Sequence, residues 1–397
     1  MRRGLHYSWP MLIALAALVF GVRATAQEGA TGASAPQDIA GLAAQAGEAR
    51  QQGDNARAAD LYEQALQRNP GWPDGWWYVG QLHYAANEYA QAIGAFTHYL
   101  GLVPKAAPAT ALRGLCEFEL GEYEPALKDI QQALALGAAD DARNAQILRY
   151  HEGLLLTRLG RFEEALTAYA DFAKKGVSNQ ELMMAVGLAA LRIPQMPGDL
   201  DAAQRDECFA AGNAVFRLMG GDAEGAAQAR EEFFERYAAA TNLPAANLHY
   251  SWGYLVYPTD PDAAIAEFRR AVAGDAADSV AETMLAWALL MENEPAAALP
   301  EAKKAAAAAP RLPLAQLALG RALLETGDAK GATPVLEGAL ALDPENLEVH
   351  IALARDYSEL GREDDARRER QLCLQMTDRT ARTAPAMGQQ HEEPPAP

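Results

Sequence analysis

Residues 73–104 read PDGWWYVGQLHYAANEYAQAIGAFTHYLGLVP. Pro73 opens the stretch, Pro104 closes it and Asn87 divides it. Proline is tolerated in the first turn of a helix but stops a helix that runs into it. After glycine, asparagine most readily takes the left-handed conformation that ends a helix. The stretch therefore predicts helix, tight turn, helix. In the second helix Ala92 is followed by Phe96 and Tyr99 at steps of four and seven, which share one helical face.

Working outward, the same pattern recurs. Ala58, Ala92 and Ala126 are 34 residues apart, as are Ala264, Ala298, Ala332 and Ala366, and Ala165 falls five residues late. Four residues on stand bulky side chains: Tyr62, Phe96, Ile130, Tyr169, Phe268 and Leu336. Five residues before each alanine is Gly53, Asn87, Gly121, Gly160, Asn293, Gly327 or Gly361. Such a period marks stacked helical hairpins, each burying its apolar face on its neighbours. From Ala165 to Ala264 is a step of 99 residues, close to three of 34, so two more hairpins are due there. Only three helices are legible, over 181–192, 200–219 and 223–240. Either 193–199 crosses in extended form, or the second helix breaks near Gly212 and Asn213, and 193–244 is expected to be a soft joint.

These residues resemble the tetratricopeptide repeat family, of an exported bacterial type. Its W-x2-L-G-x2-Y…A-x3-F…P pattern appears as Trp76-x2-Val79-Gly80-x2-His83…Ala92-x3-Phe96…Pro104, with a second copy at Leu319-Gly320-x2-Leu323…Ala332-x3-Leu336…Pro344. The resemblance implies an all-α, right-handed superhelical solenoid of antiparallel helix pairs. About eight clear repeats start near 39, 73, 107, 146, 245, 279, 313 and 347, with an irregular helical segment between them. The expected organisation is a leader over 1–26, a flexible linker over 27–37, an N-terminal array over 38–179, divergent helices over 180–244, a C-terminal array over 245–380 and a disordered tail over 381–397. Arg370 at a normally aromatic phase and Ala302 in an alanine-rich segment suggest looser packing toward the C-terminus.

In that family the first helix of each pair lines a concave groove. Carrying its groove positions over gives Asp74, Trp77, Gln81 and Tyr84, then Phe118, then Tyr150 and Arg158, and later Trp287, Arg321, Arg355 and Glu359. The repeat at 245 has a one-residue phase ambiguity, and placing Gly253 as its small residue adds Tyr250, Tyr254 and Tyr257. Flat aromatic rings would grip a peptide or a sugar chain, and arginines would read carboxylates. The lysine and asparagine clamp of chaperone-binding members is not reproduced, which disfavours a co-chaperone. The implied partner is a protein or peptide, and no cofactor is implied. The alternatives are a glycan- or cell-wall-binding module, or an accessory subunit of an envelope assembly or secretion complex.

Composition narrows the function further. The chain has 397 residues, 34 Lys+Arg against 53 Asp+Glu and a formal charge of -19. Such a surface repels nucleic acid and anionic lipid. Arg2 and Arg3, an apolar run over 11–22 and Ala24-Thr25-Ala26 read as a secretory signal peptide cleaved before Gln27. The run is too short to span a bilayer, so a periplasmic or extracellular protein without an integral span is expected. Cys116, Cys208 and Cys373 are widely spaced and odd in number, which implies neither a disulfide framework nor a metal cluster. Phosphate-loop, dinucleotide, nucleophile-elbow and metalloprotease motifs are absent, so catalysis is not expected. His249, beside Tyr250 and Ser251, reads as a satisfied helix-face histidine rather than a catalytic base.

Overall fold

The computed structural model describes residues 36–138, 141–237 and 245–383. The leader and most of the linker and tail lie outside them. The chain divides into two compact units, Met1–Thr241 and Asn242–Pro397.

The first unit contains α1 (Pro36–Gln51), α2 (Asn55–Arg68), α3 (Pro73–Ala85), α4 (Tyr89–Leu102), α5 (Ala107–Leu120), α6 (Tyr123–Ala135), α7 (Ala142–Arg158), α8 (Phe162–Lys174), α9 (Gln180–Ala190), α10 (Ala202–Met219) and α11 (Ala223–Tyr237). The second contains α12 (Ala245–Val256), α13 (Pro261–Gly274), α14 (Ser279–Met291), α15 (Pro295–Ala308), α16 (Pro313–Glu325), α17 (Ala329–Leu342), α18 (Leu347–Glu359) and α19 (Glu363–Thr383). No strand occurs among the described residues. None of the described helices is long and apolar enough to cross a membrane.

The turns are built as their residues dictate. Gly53, Gly121, Gly160, Gly327 and Gly361 have φ of 72° to 80° or, for Gly327, 89°, while Asn87 and Asn293 have 60° and 61°. At each the chain reverses through paired closing bonds, as in Asn87 N–H to the Tyr84 carbonyl (3.1 Å) and Glu88 N–H to that of His83 (2.9 Å). Reversal within a few residues makes each pair antiparallel. At the helix starts, Asp54, Asp260 and Asp328 accept the Arg57, Ala263 and Gly331 N–H groups. Between pairs, Trp76 Nε1 donates to the Pro70 carbonyl at 2.8 Å, and Gln316 Nε2 to that of Pro310 at 3.3 Å.

The eight repeat alanines, from Ala58 to Ala366, are all fully buried. Phe96, Ile130, Tyr169, Phe268 and Leu336 are fully buried beside them. Each large side chain meets a first-helix glycine. A Cβ on Gly80 would come within 2.6 Å of the Phe96 ring, and one on Gly253 within 2.9 Å of Phe268, which settles the phase of the repeat at 245. Burial of one such side chain stabilises by about 1.5–3 kcal/mol.

In the irregular segment α10 runs unbroken, so the chain crosses through residues 191–201 with a single 3-10 turn at Pro197–Asp199. Gly212 serves close approach rather than a break. Residues 182–191 are all buried, so α9 is tightly packed. The third helix is described as far as Tyr237, and the last three residues expected in it, 238–240, lie outside the described residues. Farther on Ala302 is fully buried, but its alanine-rich helix α15 leaves an open cleft of about 390 Å³ lined by Val272, Leu285, Leu289 and Glu301. Helix α19 continues to Thr383, into the stretch expected to be disordered.

Candidate partner-binding site

Helices α12, α14, α16 and α18 are the first helices of the four hairpins in the second unit. The 34-residue step sets equivalent side chains side by side along them. One row runs Trp287, Arg321, Arg355, and a second, one helical turn on, runs Met291, Glu325, Glu359. Tyr254 on α12 and Tyr257 in the turn just after it precede the rows. Trp287 is half-buried and packs against two successive core clusters, so its ring is held by both neighbouring hairpins. The Arg321 guanidinium lies 5.1 Å from the Trp287 ring centre. It binds Glu325 through Nε (3.3 Å) and Nη2 (3.0 Å), with Nη1 3.6 Å from the Met291 sulfur. Arg355 pairs with Glu359 at 3.0 Å. Burial raises the Tyr257 hydroxyl pKa, Glu292 adds to that effect and Arg321 opposes it.

The face thus changes character along its length. Rings and an exposed thioether, Met291 at 50 % exposure, give way to arginine–glutamate pairs. The first part offers flat apolar area at small conformational cost, and the second offers charge-assisted bonding without net charge.

The first unit carries a different arrangement at the tips of its hairpins. Tyr89, Tyr123 and Phe162 each open a second helix. Tyr84 meets Tyr89 edge-on at 6.0 Å, and Phe118 meets Tyr123 at 6.5 Å. The Arg158 guanidinium sits 5.2 Å from the Tyr123 ring, and that of Arg192 5.6 Å from Phe162. Burial, with Glu119 and Cys116 adding, pushes the Tyr89 hydroxyl up to about 12. The Tyr84 hydroxyl is raised for the same leading reason. Tyr150 is half-buried, its ring 5.7 Å from that of His151.

Two of the expected groove residues are corrected. Trp77 is 7 % exposed, packed on Phe96 (5.8 Å) and Tyr99 (5.5 Å) inside a core cluster. Tyr250 is 3 % exposed and packs on Phe268 at 5.9 Å. Both stand three residues before the small-residue phase, where the next hairpin closes over them. Tyr84, Phe118, Tyr150, Tyr254, Trp287 and Arg321 are half-buried, and Arg158 and Arg355 are exposed. The structure brings Trp287 and Arg321 together. It also adds Met291 and Glu325, whose signal was the repeat step, and the ring series at the hairpin tips, whose signal was the step from Tyr89 to Tyr123.

His249 is a satisfied histidine, its Nδ1 2.7 Å from Glu267, which Arg270 also binds. Cys116 and Cys208 are buried and Cys373 is half-buried. No group of three or more metal-binding side chains occurs among the described residues.

Tetratricopeptide repeat profiles match residues 44–107, 80–143 and 150–215, and another profile of the same repeat matches 323–369. The chain belongs to the tetratricopeptide repeat family. Its hairpins are therefore tetratricopeptide repeats, the units of protein-interaction scaffolds. Among solved structures, a crystal structure of MamA protein shares 18% identity over 46% of this chain and 97% of its own, with a TM-score of 0.38. MamA from MSR-1 shares 20% identity over 44% and 98%, with a TM-score of 0.36. No match is found among curated proteins.

Proposed function

We propose that this tetratricopeptide repeat chain is an exported, non-catalytic scaffold that holds an extended segment of a protein partner along α12, α14, α16 and α18. The observation that carries this reading is the half-buried Trp287 ring fixed between two core clusters with Arg321 beside it. A ring held in place loses little freedom on binding, which is how interface anchors act. The arginine–glutamate pairs suit the alternating polar groups of a peptide better than the hydroxyls of a glycan. Export rests on the basic, apolar and small-residue succession of residues 1–26.

The test is capture of partners on the immobilised chain, beside binding to immobilised peptidoglycan fragments. Trp287→Ala with Arg321→Ala is expected to weaken peptide or protein capture more than tenfold while the helical circular dichroism is unchanged. Unchanged capture places the partner elsewhere, and retention on the glycan alone selects the glycan reading. N-terminal sequencing of secreted material should begin at Gln27.

A further inference from the structure

We propose that copies of this chain associate head to tail, with α19 of one copy seated on α1 of another. The argument starts from how hairpins join inside the array. Eight residues after the repeat alanine, five of the seven earlier second helices present a large apolar side chain to the next first helix, the other two carrying Ala173 and Ala306. Leu66, Leu100, Leu134, Val272 and Leu340 hold this place and are buried or half-buried. At the last such place Leu374 is 69 % exposed, against 3 % for Leu66. Ile351 on the last first helix is likewise 47 % exposed, where its counterpart Leu317 is 1 % exposed.

The receiving side of the joint is equally defined. A Cβ on Gly75 of α3 would come within 2.5 Å of the Trp72 ring and 2.8 Å of Leu66 Cδ2, so glycine there leaves the room that the tryptophan and the leucine share. Thirty-four residues earlier, at the same register on α1, stands Gly41, whose Cβ position has nothing within 4 Å. Among the described residues, the last helix carries an unfilled knob and the first an unfilled hole of matching register.

The flanking positions distinguish this joint from the internal ones. Inside the first unit Ala59 and Tyr62 share a core cluster with Val79 and Leu82 of the next first helix. Their counterparts at the two ends of the array are Arg367 and Arg370 on α19, and Gln45 and Glu48 on α1, all exposed. Ser358 holds Arg370 Nη1 at 3.0 Å. Apolar pairs are replaced by arginines opposite a glutamate and an amide, so the joint keeps its knob and hole and gains opposite charges.

Sedimentation velocity on the purified chain reads the proposal. The average mass should rise with protein concentration and fall when salt is added. Leu374→Asp and Gly41→Glu each alter an open position and should each give a monomer with unchanged circular dichroism. Mixed together, the two variants retain one working joint and should form dimers and nothing larger. A wild-type chain that stays monomeric up to its solubility limit overturns the proposal. So does assembly that survives Leu374→Asp. Dimers of Gly41→Glu alone would reveal a symmetric pairing of two α19 helices and overturn it as well.

Discussion

Gly187 of α9 and Gly212 of α10 meet where the two helices cross backbone to backbone. A Cβ on Gly187 would overlap the Cys208 carbonyl, and one on Gly212 the Met183 carbonyl. No side chain can yield there, because the obstruction is main chain. Gly187→Ala must push the helices apart and is expected to cost about 3 kcal/mol. Gly94, inside α4 with open space around it, should respond in the opposite sense, Gly94→Ala gaining about 0.5–1 kcal/mol. Urea titrations of the two variants check both signs.

Trp77 and Trp287 separate fold from binding. Trp77→Ala empties a core position and should destabilise by about 3–5 kcal/mol. Trp287→Ala should lower the melting temperature much less and should remove partner capture. Equal thermal losses for the two would show that Trp287 serves only packing.

Ala92 is fully buried where α4 lies closest to its neighbours. Ala92→Leu adds volume that the site cannot take and should cost about 1–3 kcal/mol. An unchanged melting temperature would refute the repeat phase on which every other register rests.

Glu117 supplies a pH dependence. Its carboxyl is buried, with the Asp129 carboxylate adding to the effect and Arg113, Nε 3.9 Å away, opposing it, and its pKa is pushed up from an ordinary 4.5 to about 7. Arg113 is already committed to Asp129 through Nε (2.5 Å) and Nη2 (2.9 Å). Folding therefore favours the protonated acid. The stability this group contributes is complete below pH 4.5 and is lost as pH rises through about 7. Glu117→Gln should melt above wild type at alkaline pH, and the difference should vanish in acid. A difference independent of pH in thermal melts would assign it to packing alone.

The hairpins were legible in the sequence because one residue at each turn must take positive φ and one on each helix must be small. Gly53 through Gly361 and Ala58 through Ala366 carry those demands. The interruption was harder to read because Gly212 looks like a helix breaker when seen alone and Gly187 gives no signal of its own. Only their contact across two helices shows why each is glycine. The groove positions failed at Trp77 and Tyr250 because burial there depends on the next hairpin, and a side chain's own sequence neighbours do not reveal it. Arg321 and Glu325 were half legible, since the arginine is conspicuous by itself and its partner four residues on is not.

Repeats that touch only their neighbours have a mechanical consequence. A chain pulled from its ends should yield hairpin by hairpin, each releasing 34 residues, or roughly 120 Å of extended contour. The crossing at Gly187 and Gly212 should interrupt that series. Helices α9 and α10 are locked together without a side-chain layer that could shear gradually, so the force trace is expected to show one larger, later step there. A scaffold with such a clasp would pay out length under load while its middle held.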